Sequence, residues 1–220
     1  MNLELYATFV LAALVVIATP GPDSLNTLAI GIARGRREGV AYALGVGLGC
    51  LTHTLWAVLG VSALVAAKAA LFNVIKAVGV AYLLGLGVQA LRDRGALQLP
   101  RDGAALEMPR SGAAAPAASL RQRFMQGVLT NSLNPKVMLF FLAFLPQFVD
   151  PQVGSVAVQM LVMGASFAVL TTLAYCVLGW FAGSLGQRLL GKPGVGVALN
   201  RCTGVLFIAL ALRLALVDRK

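Results

Sequence analysis

Two charged residues stand deep inside long apolar stretches of the sequence, Asp23 and Lys136. An ionisable side chain in apolar surroundings is costly, and its usual uses are the relay of a proton or the pairing with a charged solute. Asp23 could take a proton or a substrate ammonium, and Lys136 could hold a carboxylate. The two could also pair with each other and hold the chain together, which is compatible with either use.

Each of these charges follows a short motif that interrupts its apolar stretch. The motifs are Gly-Pro-Asp at residues 21–23 and Asn-Pro-Lys at residues 134–136. Each has a residue common at helix N-caps, then proline, then a charge, so we predict that a new half-helix begins at each motif. A helix N-terminus carries unpaired N–H groups and partial positive charge, which suits a carboxylate such as that of an amino acid. The residues assigned to the helix breaks are Pro20, Gly21, Pro22 and Pro135.

Polar residues near the breaks complete the set of candidate site residues. His53 lies near the middle of the second apolar stretch, where it could exchange protons, bind solute or make a structural hydrogen bond to a neighbouring helix. Asn26 and Asn131 flank the breaks and could bind a polar solute or serve as contacts between helices. The predicted binding set for substrate and protons is Asp23, Lys136, Asn134, Asn131, His53 and Asn26.

The composition indicates a chain surrounded by lipid. Of 220 residues, 59% are hydrophobic and 12% are charged, and the mean hydropathy is +0.83. That is more apolar surface than a water-soluble domain of this size can bury. The net charge of +10 comes mainly from Lys and Arg between the apolar stretches, where they set orientation and meet anionic headgroups. We therefore expect the lipid bilayer as the partner and no nucleic acid.

Six apolar stretches are long enough to cross a bilayer core of about 30 Å as helices. In the second of them, Gly45 and Gly49 are four residues apart and predict close packing of that helix on a neighbour. The predicted spans cover residues 3–33 and 124–148, each with its break, and residues 39–67, 71–91, 154–182 and 199–217.

The positions of the two breaks predict how the spans are arranged. Asp23 lies eleven residues from Arg34, and Asn134 lies eleven from Arg123. At about 1.5 Å per helical residue, each break is about 16 Å from the cytoplasmic boundary, near the midplane. We therefore predict an all-α integral membrane protein of six transmembrane helices. They form two inverted three-helix repeats, with the first helix of each repeat broken near the midplane.

The two predicted repeats occupy residues 1–91 and 124–220, and residues 92–123 join them. The middle of this segment is rich in Ala, Gly and Pro and has no helical apolar period, so we predict a flexible cytoplasmic linker. Lys and Arg number twelve on the loops of one predicted side and two on the other. The positive-inside rule then puts both termini outside the cytoplasm.

Neither a cofactor, a metal site nor an enzymatic activity is predicted. Cys50, Cys176 and Cys202 lack CxxC spacing and lie away from the breaks, which disfavours a zinc site, a disulfide framework and a membrane thiol carrier. Asp23 is the only deep acid and His53 the only histidine, too few for a divalent-metal transporter or for hydrolytic catalysis. The alternatives left open are a channel, because the same residues could line a pore, and a transporter of another small polar solute or cation.

In these motifs the sequence resembles the LysE/RhtB superfamily of amino acid exporters, in particular its homoserine/threonine-resistance branch. The resemblance covers nearly the whole chain outside the linker and rests on the order and spacing of several patches. These are Thr19 to Asp23, Arg34 to Gly39, Gly49 with His53, Gly79-x-Ala81-Tyr82-Leu83, and Phe124 to Phe148.

The resemblance implies export of small neutral amino acids or derivatives, of the homoserine, threonine or leucine kind. It implies a bacterial inner-membrane protein driven by proton antiport, with amino acid and protons as its partners and no cofactor. It places functional weight on the positions matching Asp23 and the run 134–136, and Asp23 disfavours lysine or arginine as substrate. Association of copies of the chain into a homo-oligomer stays open.

Overall fold

The structure is a computed structural model that describes residues 2–66, 69–92, 118–190 and 193–216. Throughout these residues the regular secondary structure is helical, without strands, so the all-α prediction is confirmed. Most of the predicted linker, residues 93–117, lies outside the described residues. The α-helices are α1 (Leu3–Ala18), α2 (Pro22–Arg34), α3 (Arg36–Ala66), α4 (Ala69–Arg92), α5 (Leu120–Ser132), α6 (Pro135–Ala143), α7 (Val156–Leu190) and α8 (Pro193–Leu216), and short 3-10 helices cover Leu145–Phe148 and Pro151–Val153.

The first break follows from its prolines. Thr19 precedes Pro20, and a residue before proline is disfavoured in the helical region, so Thr19 is extended at φ −65° and ψ 126° and α1 ends. Gly21 is also extended and caps α2, whose first residue is Pro22. The Ser24 hydroxyl accepts from the Gly21 N–H at 3.0 Å and donates to the Gly21 carbonyl at 3.1 Å. The axes of α1 and α2 differ by 50°.

The second break has the same local chemistry. Asn134 precedes Pro135 and is extended at φ −73° and ψ 109°, so α5 cannot continue into α6. The Asn134 Oδ1 accepts from the Lys136 N–H at 3.0 Å and caps α6. The bend between α5 and the segment Pro135–Phe148 is also 50°. Both apolar stretches are therefore interrupted at the motifs that carry the charges.

Some helix boundaries differ from the predicted ones. α3 begins at Arg36, inside the basic loop, because Gly35 takes φ +94° and turns the chain within one residue. α7 runs to Leu190 rather than to residue 182, since no proline interrupts it. α8 begins at Pro193 rather than at residue 199, because proline is favourable at the first position of a helix.

Glycines let the helices approach closely. α3 packs against α5 and α7, α2 against α7, and α4 against α8. A Cβ on Gly45 of α3 would overlap the Phe124 carbonyl of α5, and a Cβ on Gly127 of α5 would overlap the Tyr42 carbonyl of α3. The spacing of glycines in the second stretch thus does reflect backbone-to-backbone packing.

An aromatic cluster fixes α6 between α1 and α7. The Phe141 ring lies 5.0 Å from that of Phe167, nearly at a right angle, and the Phe140 ring lies 5.5 Å from it. Phe9 of α1 lies 6.2 Å from Phe140 and 5.6 Å from Phe148, and such tilted or edge contacts are favourable. The cluster therefore holds the C-terminal half of α6 against α1 and α7.

Two single helices within the described residues have the length and apolar character needed to cross a membrane, Arg36–Gly60 and Val156–Ala182. The pair α1 with α2, and the pair α5 with residues Pro135–Phe148, pass the same test if each counts as one bent span. Large apolar side chains such as Trp56 and Leu59 are exposed on the outer face of α3, as expected where lipid surrounds the protein.

Gly45→Ala should lower the melting temperature of the detergent-purified protein. The added methyl group meets the α5 backbone, and such overpacking costs about 1–3 kcal/mol. Gly85→Ala in α4 is the matched control, because a Cβ there has nothing within 4 Å and alanine favours a helix by about 1 kcal/mol. A melting temperature of Gly45→Ala equal to or above that of Gly85→Ala would contradict the close contact of α3 with α5.

Candidate functional site

The carboxylate of the first break is bound by the second break. Asp23 lies in the first turn of α2 and is 1% exposed. Its Oδ2 accepts a hydrogen bond from Asn131 Nδ2 at 2.8 Å and another from Asn134 Nδ2 at 2.7 Å. These donors belong to the last turn of α5 and to the cap of α6. The acid is therefore stabilised by two neutral amides from the other half of the chain.

The ammonium of the second break is bound by the first break. Lys136 lies in the first turn of α6 and is buried. Its Nζ donates to the carbonyl of Val16 at 3.2 Å and to that of Thr19 at 3.1 Å. Carbonyls at the end of α1 have no partner within the helix and carry partial negative charge, so a cation suits them. A Cβ at Gly21 would lie 2.8 Å from Nζ, and glycine leaves the room that the ammonium needs.

The two charges thus meet at one junction without bonding to each other. In the described part of the chain, the hydrogen-bond partners of the Asp23 carboxylate are side-chain amides, and those of the Lys136 ammonium are backbone carbonyls. We name this arrangement the break junction; it comprises Asp23, Lys136, Asn131, Asn134 and the carbonyls of Val16 and Thr19. The junction ties the end of α1 and the start of α2 to the end of α5 and the start of α6.

Asn134 uses both ends of its amide in the junction. Its Oδ1 accepts from the Lys136 N–H, and its Nδ2 donates to Asp23. A backbone N–H can only donate and a carboxylate accepts, so this orientation of the amide satisfies both partners. Helix capping and binding of the acid are therefore performed by the same side chain.

His53 joins the junction from α3. The ring is 2% exposed, and its Nε2 lies 2.7 Å from the Asn131 carbonyl oxygen. Because a carbonyl only accepts, Nε2 is the donor. Asn131 is thereby bonded to His53 through its backbone and to Asp23 through its side chain. The histidine makes the structural hydrogen bond that its sequence context allows, and it belongs to the same hydrogen-bonded chain as the acid.

The structure leaves Asn26 outside the junction and adds a residue that sequence reasoning missed. Asn26 Nδ2 donates to the Tyr42 hydroxyl at 3.3 Å. Tyr175 of α7 donates its hydroxyl to the Ile17 carbonyl at 3.2 Å, so it satisfies a further carbonyl at the end of α1. The sequence could have indicated Tyr175, because a tyrosine in the middle of an apolar span carries a hydroxyl that needs a hydrogen-bond partner when buried.

Asp23, Asn131 and the His53 ring beside the break junction each have a buried polar atom without a hydrogen-bond partner. Among the described residues, four buried side-chain atoms have no hydrogen-bond partner: Asp23 Oδ1, His53 Nδ1, Asn131 Oδ1 and Thr171 Oγ1. Buried polar atoms are paired in the large majority of cases, so a group of unpaired ones needs an explanation. In the described part of the chain, no group of three or more His, Cys, Asp or Glu could hold a metal ion.

The family comparison covers nearly the whole chain. The family model described as LysE type translocator matches residues 14–217, a range that contains both breaks and the break junction. The chain belongs to the LysE type translocator family. The resemblance inferred from the motifs is confirmed.

Relatives of this LysE type translocator match along nearly their full length. A protein of Vibrio cholerae described as an uncharacterized membrane protein is 30% identical over 215 residues, 98% of each chain. A homoserine/homoserine lactone efflux protein of Salmonella typhimurium is 28% identical over 223 residues, again 98% of each chain. A leucine efflux protein of Klebsiella pneumoniae is 30% identical over 213 residues, 96% of this chain and 94% of the relative. Together with its apolar helices, these matches identify the translocator as a multi-pass bacterial membrane protein.

No solved structure matches the chain of this LysE type translocator.

Variants of Asn134 should separate helix capping from binding of the acid. Serine keeps a cap but is too short to hold Asp23, so Asn134→Ser should lower the free energy of unfolding by about 1.5–3 kcal/mol, as expected for a lost bond to a charged group. Asn134→Ala should lose about 1 kcal/mol more with the cap.

The control is Asn2→Ala, because Asn2 caps α1 through the N–H groups of Glu4 and Leu5 and has no acid to hold. Denaturant unfolding in detergent measures all three variants. An Asn134→Ser protein that unfolds like the wild type would contradict a stabilising bond between Asn134 and Asp23.

Proposed function

We propose that this translocator exports small neutral amino acids or their derivatives, of the homoserine, threonine or leucine kind, from the bacterial cytoplasm across the inner membrane by proton antiport. The observation that carries the proposal is the break junction, where a buried carboxylate and a buried ammonium lie beside helix ends. Relatives named as homoserine/homoserine lactone and leucine efflux proteins support the substrate class.

The proposed architecture is six transmembrane spans in two inverted repeats, residues 1–91 and 124–220, joined by a cytoplasmic linker at residues 92–123. Several features support it. Each half begins with a helix bent by 50° at a proline-started half-helix, and the second and third helices of one half pack on those of the other. With both termini outside, the two breaks lie at similar depth near the midplane.

In the proposed mechanism the charges of the junction change partners. Asp23 takes up a proton or the substrate ammonium. Lys136 leaves the carbonyls of Val16 and Thr19 and, with the N-termini of α2 and α6, holds the substrate carboxylate. Asn131, Asn134 and His53 position the acid. Asn26 lies one turn further along α2 and meets the substrate only after it has left Tyr42.

Antiport follows from a single acid with two alternative partners. A carboxylate that holds a proton is neutral and attracts an ammonium weakly, whereas an ionised one attracts it strongly. If the transporter changes its open side only when Asp23 is occupied, each outward amino acid is exchanged for an inward proton. No covalent bond is made or broken, so the proposed activity is transport and needs neither an enzyme's nucleophile nor a cofactor.

Asp23→Asn should abolish gradient-driven accumulation and also reduce exchange of substrate across the membrane, because the neutral asparagine attracts the ammonium as weakly as the protonated acid does. The substitution preserves the fold, because both amide donors already bind one oxygen, Oδ2, which an asparagine oxygen can replace. Inverted vesicles with an imposed proton gradient and labelled homoserine, threonine and leucine measure accumulation, and counterflow measures exchange. Asp150→Asn is the control, since Asp150 caps a short helix away from the junction through the Gln152 N–H.

Three results would contradict the proposal. Wild-type flux that follows the amino acid gradient and ignores the proton gradient would indicate a channel. Full accumulation by Asp23→Asn would remove the acid from the coupling step. Full recovery of pumping in the double variant Asp23→Asn with Lys136→Met would show that the two charges are only a structural connection.

A further inference from the structure

Three unpaired atoms, two in the break junction and one on His53 beside it, belong to one hydrogen-bonded chain. His53 is bonded to Asn131 at 2.7 Å, and Asn131 is bonded to Asp23 at 2.8 Å. Each of these residues keeps one buried polar atom without a partner in the described structure: Nδ1 of His53, Oδ1 of Asn131 and Oδ1 of Asp23. The residues are 2%, 0% and 1% exposed, so bulk water does not satisfy these atoms.

All three unpaired atoms are acceptors. Nε2 of His53 donates to a carbonyl, so in the neutral ring Nδ1 carries the lone pair. The Asn131 amide presents its nitrogen to the Asp23 carboxylate, which leaves its oxygen unpaired. The second oxygen of an ionised Asp23 can only accept. The cluster therefore has three acceptors without a donor, and with Asp23 ionised it carries one negative charge.

We propose that the chain His53–Asn131–Asp23 recognises the primary ammonium group of the substrate, with one N–H for each unpaired acceptor. The proposal rests on the proposed function and names the functional group that the site selects. Compounds without a primary ammonium are then poor ligands: N-acylated amino acids, 2-hydroxy acids and N-methylated amino acids.

The chemistry of the acceptors distinguishes a primary ammonium from other ligands. It is a cation with three donors and no acceptor, so it satisfies all three atoms and neutralises Asp23. A hydroxyl or an N-acyl amide brings at most one such donor and no charge. A hard metal cation prefers oxygen ligands, and the imidazole nitrogen is not one of them.

This assignment also divides the junction into two ends. The acceptors of His53, Asn131 and Asp23 receive the ammonium, whereas Lys136 and the helix N-termini remain for the carboxylate. An α-amino acid carries both groups on neighbouring atoms. The proton and the ammonium then compete for the same carboxylate, which is the exchange that antiport requires.

A series of amines tests the proposal on the purified full-length protein. The probes are L-leucine and L-homoserine, each as the free amino acid, the N-methyl derivative and the N-acetyl derivative, and thermal stabilisation in detergent gives their affinities. A methyl group removes one N–H, so the N-methyl derivative should bind about tenfold more weakly, as expected for one lost bond to a charged group. The N-acetyl derivative should give no stabilisation.

His53 variants distinguish recognition from a structural role. His53→Phe removes one acceptor, so it should weaken binding of the free amino acid about tenfold and leave binding of the N-methyl derivative unchanged. The ratio of the two affinities then comes close to one. His53→Gln offers both a donor to Asn131 and an acceptor, and it should restore the ratio. A merely structural histidine would weaken both ligands equally, and that result overturns the proposal.

The remaining outcomes separate this inference from the proposed function. N-acetyl derivatives that stabilise or cross the membrane as well as the free amino acids overturn the inference and leave export intact. Affinities that fall from the free amino acid to the N-methyl and then the N-acetyl derivative support the inference. If the same protein transports no amino acid, the proposed function is overturned and the inference stands. A protein stabilised by none of the probes overturns the inference.

Discussion

The structure depends on one constraint: a helix that breaks inside an apolar environment exposes backbone groups that must find partners. The end of α1 has carbonyls without intrahelical donors, and the starts of α2 and α6 have N–H groups without intrahelical acceptors. Lys136 and Tyr175 supply donors to the carbonyls, and Asn134 and Ser24 cap the new helices. The carbonyls at the end of α1 are therefore satisfied by residues from elsewhere in the chain, whereas α2 and α6 are capped by residues of their own breaks.

Each break supplies the hydrogen-bond partners of the charge on the other break, so the two bent helices are connected to each other. Asp23 begins α2 but is bonded to α5 and α6, and Lys136 begins α6 but is bonded to α1. A movement that separates the two bent helices must break both sets of bonds, because each set joins one bent helix to the other. In the proposed mechanism the substrate carboxylate replaces the carbonyls as the partner of Lys136, so substrate binding and movement of the bent helices involve the same atoms.

Local structure at the junction could be predicted from the sequence because it is set by local chemistry. Proline excludes the helical region from the residue before it, and this places both breaks within a residue of their motifs. Gly45 and Gly49 likewise indicate close packing. The helix ends at Leu190 and Pro193 were harder to predict, since the apolar pattern stops before the helix does.

The partners within the junction could not be predicted from the sequence. Backbone carbonyls such as those of Val16 and Thr19 carry no sequence signal, so the sequence suggests Asp23 as the partner of Lys136 although the ammonium is bonded elsewhere. Asn26 and Asn131 look equivalent beside their breaks, yet Asn26 contacts Tyr42 and Asn131 contacts the acid. Which amide faces the junction is decided by the packing of α3 on α5.

The most direct test of this account is the distance from the Lys136 ammonium to its partners in a lipid bilayer. Solid-state NMR with 15N-labelled lysine side chains and 13C-labelled threonine carbonyls measures it, and Lys136→Met identifies the signal. An N···O distance of 3.1 Å to Thr19 predicts an Nζ-to-carbonyl-carbon distance of about 4 Å, given ordinary hydrogen-bond geometry. A distance above about 6 Å between the ammonium and the Thr19 carbonyl carbon lies outside hydrogen-bond range. Such a distance, together with contact between the ammonium and the Asp23 carboxyl carbon, would contradict the binding of Lys136 by the first break.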